Sequence, residues 1–480
     1  MNSLTKNAQD VLVIAANRER RPHAVAPLGA AHIAQALERA GHRVAFLDLG
    51  YAGAPDRAVA RALRAHRPNV VALSLRNLDN CTYLTPKSFV PDARRLVDEI
   101  RQRSDATVVV GGAAVGVAGA ELLPALGVSY GIAGEGERSL PLLLERLAAG
   151  ESLSGVPGLL EVSEGSAEPT PPSFDVTLEG PGTAAARIDY RHYYRHGGFV
   201  SVQTKRGCPF TCAYCVYPAL EGRRYRLRPA EACVDDIERF VKDHGLTDFF
   251  FSDSVFNLPR DHAAALCREL VRRELSIRWM AYCNPQGLDR ELAQLFRASG
   301  CVGVELGLDA VTGKMIANLG KNFTQAEVST AFDALRAAGL PYAAFLLFGG
   351  PDETWRDVEE AQAFLRGAGR PNAVMASLGI RIYRNTAMHR FAIDHGVVAK
   401  DQGMLDPVFF VSEALGPHPA ARLDEVARRD ARWTTATDWN GWVLRALAAI
   451  GNLRRTLPAW VSTERYGRHL RRSSRPPAAG

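Results

Sequence analysis

Short apolar segments alternate with amphipathic segments along most of the 480-residue chain, and this alternation restricts the possible folds more than any other feature. Val11–Ala16 and Val70–Leu75 are short and apolar, as buried strands are, whereas Leu28–Ala40 has the periodicity of an amphipathic helix. Strands that alternate with helices form mainly parallel sheets, so the sequence predicts an α/β protein. A chain of this length exceeds what one hydrophobic core supports, so about two or three domains are expected.

One segment interrupts the alternation. Residues 151–183 are rich in Pro, Gly, Ser and Glu and have no sustained periodicity, which is typical of a connection between domains. We therefore expect an α/β domain over residues 1–150, a linker over 151–195, a second α/β domain over 196–400, and a helical C-terminal region with a basic tail over 401–480.

Polar and glycine-rich segments follow several predicted strands of the first domain. They are Arg76–Asn80, Gly111-Gly112 and Gly134–Glu137. A doubly wound parallel sheet binds its ligand beyond the carboxyl ends of the strands, so these segments are candidates for a ligand site. Taken singly, a glycine at a strand end indicates no more than a tight turn.

Three closely spaced cysteines, Cys208, Cys212 and Cys215, follow the first strand of the second domain, in a chain that has 8 cysteines. Their spacing suits three thiolates on one metal centre, and three ligands leave one iron of a [4Fe-4S] cluster open. Zinc is the alternative, but it needs a fourth ligand. The closest upstream histidines, His192 and His196, precede the strand that delivers the loop, so ligand type and spacing favour the cluster.

The cysteine segment, with Tyr214 before the last cysteine, resembles the signature of the radical S-adenosylmethionine (SAM) superfamily. Gly307–Thr324 and Phe348–Thr354 resemble later motifs of this superfamily, with Asp309 where Glu is usual. The resemblance implies a [4Fe-4S] cluster held by the three cysteines, SAM as cofactor, and a partial (β/α)6 barrel. The six strands expected between Val200 and Ile382 suit that barrel, whose chemistry lies at the carboxyl ends of the strands.

The same resemblance implies residues for SAM. Tyr214 occupies the aromatic position, Asp253 approaches the methionine amino group, and either Glu305 or Asp309 binds ribose or methionine. Helix capping by Asp253 and solvation of Asp309 are the structural alternatives. Arg381, after the sixth strand, could pair with a carboxylate of SAM or substrate, and an ordinary surface ion pair is the alternative.

The first domain resembles the flavodoxin-like (Rossmann-type) cobalamin-binding domain that precedes many radical SAM barrels. It lacks the Asp-x-His-x-x-Gly motif of domains that donate a histidine to cobalt; His23 lies in the first loop without that motif. The resemblance therefore implies cobalamin with a non-histidine lower face. The residues that it implies for cobalamin are Asn77, Asp79, Gly111, Gly112, Gly134, Glu135 and Gly136.

The combined resemblance implies methylation of an unactivated carbon of a small-molecule substrate, through a 5′-deoxyadenosyl radical and methylcobalamin. An external one-electron reductant, such as flavodoxin or ferredoxin, would then be a partner. Three alternatives stay open: a cobalamin-dependent ring contraction or cyclisation, a non-catalytic cobalamin-binding protein, and a radical enzyme whose first domain binds no cobalamin.

Composition adds limits on location and partners. No apolar run approaches the roughly 18 residues of a membrane-spanning helix, and Met1–Asp10 is too polar for a signal peptide, so the cytoplasm is the expected compartment. The net charge of +6 owes much to arginines near the C-terminus, and no segment resembles a nucleic-acid-binding motif, so nucleic acid is not an expected partner. Ala421–Arg432 and Trp439–Arg455 are the predicted helices of a small C-terminal cap.

Overall fold

The computed structural model describes residues 8–20, 24–162, 170–174, 177–178, 187–195, 199–430 and 432–435. Its first unit is a six-stranded sheet in the order β2-β1-β3-β4-β5-β6, parallel except for β6, which runs antiparallel to β5. The strands are β1 (Asp10–Ala15), β2 (Arg43–Asp48), β3 (Val70–Ser74), β4 (Thr107–Gly111), β5 (Tyr130–Ile132) and β6 (Leu159–Glu161).

Helices cover both faces of this sheet, each burying an apolar stripe against it. They are α1 (Leu28–Arg39), α2 (Pro55–His66), α3 (Val90–Arg101), α4 (Ala113–Ala118), α5 (Leu122–Leu126) and α6 (Gly136–Ala149). One apolar core lies beneath α2, α3 and α5, and a second lies beneath α1 and α6. The predicted flavodoxin-like, doubly wound domain is confirmed. Strand β6 extends the first sheet into the segment that the sequence predicts as linker.

The second unit contains a seven-stranded parallel sheet in the order β7-β10-β11-β12-β13-β14-β17. Its elements are α7 (Tyr190–Arg195), β7 (Val200–Val202), β8 (Lys205–Arg206), α8 (Tyr217–Glu221), β9 (Arg226–Leu227), α9 (Ala230–His244), β10 (Asp248–Phe251), α10 (Arg260–Arg272), β11 (Arg278–Cys283), α11 (Arg290–Ala298), β12 (Cys301–Asp309), α12 (Gly313–Asn318), α13 (Gln325–Ala337), β13 (Tyr342–Phe348), α14 (Trp355–Gly367), β14 (Ala373–Leu378), β15 (Ile380–Arg381), α15 (Ala387–Asp394), β16 (Phe409–Phe410), α16 (Pro419–Arg428) and β17 (Trp433–Thr435).

The six predicted barrel strands are present, and β17 adds a seventh beside β14. In the C-terminal region, α16 overlaps the first predicted helix, Ala421–Arg432, whereas the second, Trp439–Arg455, lies outside the described residues, so a helical cap stays a prediction. Met280, Ala343 and Met375 belong to a small apolar cluster of their own, which packs against Phe250 and Phe345. No helix among the described residues is both long and apolar enough to cross a membrane.

The two units meet where the carboxyl ends of their strands lie. Asp79, which follows β3, accepts a 2.8 Å hydrogen bond from Arg381 Nε, which follows β14. Glu121 accepts two hydrogen bonds from Arg384, of 3.1 and 3.0 Å. Because each sheet places its ligand-binding loops at this end, any ligands of the two units lie next to each other.

Candidate functional site

The three cysteines lie on one loop, which an antiparallel ribbon of β8 and β9 closes at its base. Cys208 is buried, and Cys212 and Cys215 are half-buried. Burial raises the pKa of all three thiols, that of Cys215 to about 12; the neighbouring cysteines add to the rise for Cys208 and Cys215, and Asp309 adds to it for Cys212. Three thiolates so close together need a cationic centre to offset their repulsion, and an iron–sulfur cluster supplies one.

The residues described here offer no group of three His, Cys, Asp or Glu side chains that could hold a single metal ion. His192, the upstream histidine considered for zinc, lies with its ring 4.2 Å from the ring of Tyr51 in the interface between the units. His196 lies outside the described residues, as does His23.

Gly207, directly before Cys208, fixes the course of the loop. Its φ is +94°, and a Cβ at this position would lie 2.0 Å from the carbonyl oxygen of Arg224. Its N–H donates to Glu221 Oε2 at 3.2 Å, and the N–H of Cys208 donates to the carbonyl of Gly222 at 3.0 Å. The backbone therefore needs glycine here on both conformational and steric grounds.

Tyr214, Asp309 and Lys321 form a hydrogen-bonded group beside the cysteines. Tyr214 donates to Asp309, and Lys321 Nζ lies 2.5 Å from Asp309 Oδ2 and 3.3 Å from Tyr214 Oη. Burial opposes the charged form of Lys321, but Asp309 and Cys212 outweigh burial and raise its pKa. The expected alternative, a solvated Asp309, is therefore wrong.

Sequence reasoning assigned no role to Lys321, although it lies in the motif Gly307–Thr324. The segment before it also contacts the cysteine loop. The N–H of Ala213 donates to the carbonyl of Leu319 at 2.9 Å, and the carbonyl of Ala213 accepts from the N–H of Met388 at 2.8 Å. The position of Lys321 next to the cysteines thus follows from backbone contacts.

Asp253 lies at the end of β10, near the start of the cysteine loop, and is buried. Its carboxylate accepts hydrogen bonds from the N–H and Oγ1 of Thr204, at 2.7 and 2.6 Å, and from Lys205 Nζ at 2.9 Å. Both oxygens are thus engaged within the protein, and neither caps a helix. A contact between Asp253 and SAM stays a prediction.

Glu305 lies on β12 opposite Tyr282 of β11. The hydroxyl of Tyr282 donates a hydrogen bond to the carboxylate of Glu305. Tyr282 and Tyr217 are each 43% exposed. Burial among surrounding atoms nevertheless raises the pKa of both hydroxyls, that of Tyr217 to about 12. Burial also lowers the pKa of Arg76, which lies within electrostatic range of both tyrosines. The region that Arg76, Tyr217 and Tyr282 share, where the two units meet, is hereafter the interdomain space.

Sequence reasoning included Arg76 in a candidate ligand segment and placed Tyr282 at a strand end, but it predicted no specific contact for either and gave no role to Tyr217. Two signals bear on these residues. Arg76 and Tyr282 lie at the carboxyl ends of predicted strands, where ligand sites form, and Tyr217 is the second residue after the last cysteine of the triplet.

Arg381 binds groups of the protein itself, and not the carboxylate of SAM or substrate that the sequence suggested as a partner. Its guanidinium pairs with Asp79 and donates to the carbonyl of Met404 at 3.1 Å. The side chain of Arg381 is 5% exposed and that of Asp79 is 0% exposed. Arg381 therefore forms an ion pair, as the alternative reading expected, but the pair is buried between the units and does not lie at the surface. Its partner, Asp79, is one of the residues that the sequence predicts for cobalamin.

Four of the remaining cobalamin candidates are glycines at strand ends, and three of them pack closely within the protein. A Cβ on Gly112, where φ is +95°, would lie 2.6 Å from the carbonyl of Leu75. The corresponding distances from Gly134 and Gly136, to side chains, are both 2.8 Å. For Gly111 the nearest atom is 3.9 Å away, at an ordinary contact distance. Glu135 makes ion pairs with Arg206 and Arg226, which flank the cysteine loop.

A crevice of about 670 Å³ opens at the carboxyl ends of β1, β2 and β3. In a sheet of this order the direction of winding changes between β1 and β3, which is where doubly wound domains bind their ligands. Asn77 lines the crevice, as predicted for a cobalamin residue, and Arg76 lines it next to the interdomain space. Its other charged lining residues are Arg18, Glu19, Arg20, Asp56, Lys87, Asp92 and Arg95.

Comparison with known proteins matches each unit to a family. Residues 202–365 match the radical SAM superfamily, and residues 14–144 match the B12 binding domain. The chain is 30% identical to tryptophan 2-C-methyltransferase of Streptomyces laurentii, over 61% of this chain and 58% of that protein. It is 29% identical to hopanoid C-3 methylase of Methylococcus capsulatus, over 65% of this chain and 60% of that protein. The chain thus spans less than two thirds of the length of these relatives.

Solved structures agree over nearly the whole chain. The radical SAM methyltransferase TsrM from Kitasatospora setae, solved with tryptophan substrate and a SAM analogue, has a TM-score of 0.85 at 26% identity and covers 97% of this chain and 99% of its own. The cobalamin-dependent SAM radical enzyme OxsB shares the fold, with a TM-score of 0.75 at 15% identity over 98% of this chain and 72% of its own. The chain therefore carries a B12-binding domain over residues 14–144 ahead of a radical SAM domain over residues 202–365.

Proposed function

We propose that the chain is a cobalamin-dependent radical SAM methyltransferase that methylates a carbon of a small-molecule substrate. The observation that carries this proposal is the interdomain space. Arg76 of the first unit, Tyr217 beside the cysteine loop and Tyr282 of the barrel all border it. A substrate held there would have one cofactor on each side. The carbon methylations in the names of the two curated relatives support this reading.

Cys208, Cys212 and Cys215 are the residues that we assign to a [4Fe-4S] cluster, with Tyr214 and Asp309 next to SAM. The cluster and SAM would supply a radical, and cobalamin would carry the methyl group. Lys321 holds the carboxylate of Asp309 in place and keeps a positive charge near the thiolates. Asp253 contributes by anchoring Thr204 and Lys205 at the start of the loop.

We assign the crevice of the first domain to part of cobalamin. Asn77 and Arg76 line it where it meets the interdomain space, and Arg18 and Lys87 also line it. Basic side chains suit the phosphate of the nucleotide tail of cobalamin because charge-assisted hydrogen bonds to phosphate are strong. A lower face without a histidine ligand stays part of this proposal.

Aromatic side chains in the barrel suggest a planar substrate. The ring of Tyr282 contacts those of Phe250 and Phe345, with centroids 5.0 and 6.2 Å apart. Burial raises the pKa of Tyr282, and its hydroxyl donates its hydrogen bond to Glu305, so the hydroxyl oxygen is left to accept a hydrogen bond from a substrate. Tryptophan, named with one relative, is the first compound to test.

An external one-electron donor such as flavodoxin or ferredoxin completes the proposal, with the cytoplasm as its location. The 8 cysteines are all free thiols, which suits a reducing compartment.

The experiment is anaerobic reconstitution of the full chain with iron, sulfide and cobalamin, followed by a strong reductant, tryptophan or a related aromatic compound, and SAM with a deuterated methyl group. We expect a product one CH₂ unit heavier that carries the label. A product with an unchanged skeleton mass, or one that has lost hydrogen, would support cyclisation. If SAM is neither cleaved nor used to alkylate cobalamin, the non-catalytic binding alternative is supported.

A further inference from the structure

The arginines at the base of the cysteine loop bind to the other domain. Arg206 and Arg226 face each other across the ribbon of β8 and β9. Both guanidinium groups converge on Glu135, with Arg206 Nη1 3.1 Å from Oε1 and Arg226 Nη1 2.8 Å from Oε2. Arg206 Nη2 also lies 2.7 Å from Glu137 Oε1. We call Glu135, Glu137, Arg206 and Arg226 the ribbon clamp.

Burial makes the ribbon clamp energetically important. The side chain of Glu135 is 4% exposed and that of Arg206 is 12% exposed. Arg206 and Arg226 lie directly opposite each other on the ribbon, and their like charges repel. Glu135 pairs with both arginines and Glu137 pairs with Arg206, so the four side chains together carry no net charge. Removing one member of a buried ion network leaves an uncompensated charge, which is strongly destabilising locally.

A shift of the ribbon would also move Cys208, because the short, constrained backbone between Arg206 and Cys208 cannot absorb the displacement. Arg206 is separated from Cys208 by Gly207 alone, whose close approach to Arg224 fixes the loop at its base. A second contact joins the same loop to the first domain: Leu220 of α8 packs on Gly116 of α4, where a Cβ would lie 2.6 Å from Leu220 Cδ2. The cysteine loop thus lies between the barrel and the first domain.

We propose that Glu135 is a positioning residue for the cysteine loop, so that the cobalamin-binding domain sets the geometry of the thiols in the radical SAM domain. The proposal rests on the proposed function insofar as these thiols hold a cluster. It assigns to Glu135 a role other than a direct contact with cobalamin.

Glu135→Gln tests this role, because it removes the charge and keeps the shape. Glu121→Gln is the matched control, because Glu121 also receives an arginine across the domain interface but does not contact the cysteine loop. The first readout is the rate at which iodoacetamide labels Cys208 in the cofactor-free full chain, with buried Cys267 as an internal reference for folding. The second is the electron paramagnetic resonance spectrum of the reduced cluster before and after addition of SAM.

We expect Glu135→Gln to speed the labelling of Cys208 by about five-fold or more, because local opening of the loop becomes easier, while Cys267 stays unlabelled. We also expect its spectrum to change and Glu121→Gln to match the unaltered protein in both readouts. Equal labelling rates in all three proteins would overturn the proposal, as would equal acceleration in both variants, which would indicate general domain packing. The labelling is done without a cluster, so it tests the role of Glu135 independently of the proposed function. The proposed function itself would be refuted if the unaltered protein bound neither cluster nor SAM.

Discussion

Lys321 Nζ lies 2.5 Å from Asp309 Oδ2, and Asp309 also accepts a hydrogen bond from Tyr214 of the cysteine loop. The side chain of Lys321 is 5% exposed. This contact joins the cysteine motif to the motif that follows β12, and it places one buried cation beside the thiols.

Lys321→Met is therefore expected to weaken SAM binding by about ten-fold or more and to lower the free energy of unfolding by about 1–3 kcal/mol, because it leaves Asp309 unpaired. Lys314→Met is the control, since Lys314 pairs with Asp357 at 2.8 Å and does not contact the cysteine loop. Equilibrium binding of SAM and thermal unfolding measure both effects. Equal SAM affinities in the two variants would contradict the role given to Lys321.

Gly207→Ala should prevent assembly of the cluster. The new Cβ would lie 2.0 Å from the Arg224 carbonyl, so the loop must move. Gly245→Ala is the comparison, because Gly245 also has a positive φ, of +65°, but nothing within 4 Å of the added Cβ. We expect a loss of stability of about 1 kcal/mol and normal iron content for Gly245→Ala. Normal iron content in Gly207→Ala would show that the loop accommodates the methyl group.

Cys208→Ala should abolish iron binding and leave uptake of cobalamin within about two-fold of the unaltered protein, because alanine preserves the backbone contacts of the loop. Cys267→Ala, at a fully buried cysteine outside the triplet, should lower stability but retain iron. Iron analysis and cobalamin absorbance after reconstitution provide the two readouts. If Cys208→Ala loses cobalamin as well, the two cofactor sites depend on each other more strongly than expected.

Arg381→Met should destabilise the protein by about 3–5 kcal/mol, because the carboxylate of Asp79, which is 0% exposed, loses its partner. SAM affinity should change by less than about two-fold, since the contacts of Arg381 lie within the protein. Asp79→Asn combined with Arg381→Met should recover much of the loss, because no buried charge is then left. A large loss of SAM affinity without a loss of stability would instead support the carboxylate contact expected from the sequence.

Glu353 links stability to pH. It accepts a 2.9 Å hydrogen bond from the N–H of Gly350, yet burial raises its pKa to about 7. A carboxyl whose pKa is higher in the folded state stabilises the protein at low pH, and this contribution is lost as pH rises from about 4.5 to about 7. The unaltered protein should therefore lose up to about 3 kcal/mol more than Glu353→Gln between pH 5 and pH 8. Urea unfolding of the cofactor-free chain measures this, and parallel pH profiles would contradict it.

The sequence predicts the strands and the longer helices because their apolar periodicity is local. It does not predict β8 and β9, whose two-residue strands have no period and form through the ribbon and its clamp. Short helices such as α4 and α8 were not predicted either, because they are too short to show a helical period. Strand β17 was missed because three residues gain strand character from pairing with β14.

The candidate site divides in the same way. The cysteine triplet is predicted because its spacing lies within eight residues of sequence. Arg381 and Asp79 are 302 residues apart, and no local pattern announces their pairing. Glu135 was expected at cobalamin because of its place after β5; its arginine partners lie on a ribbon that only the fold brings there.

The most direct test of the central claim follows the methyl group of SAM onto cobalamin. The full chain, reconstituted anaerobically with iron, sulfide and cobalamin, is reduced and incubated with SAM that carries a deuterated methyl group, and the cobalamin is analysed by absorbance and mass spectrometry. A protein in which both domains serve one methyl transfer should yield cobalamin that carries the deuterated methyl group. Cobalamin that stays unmethylated, while the same preparation binds its cluster and SAM, would contradict the account.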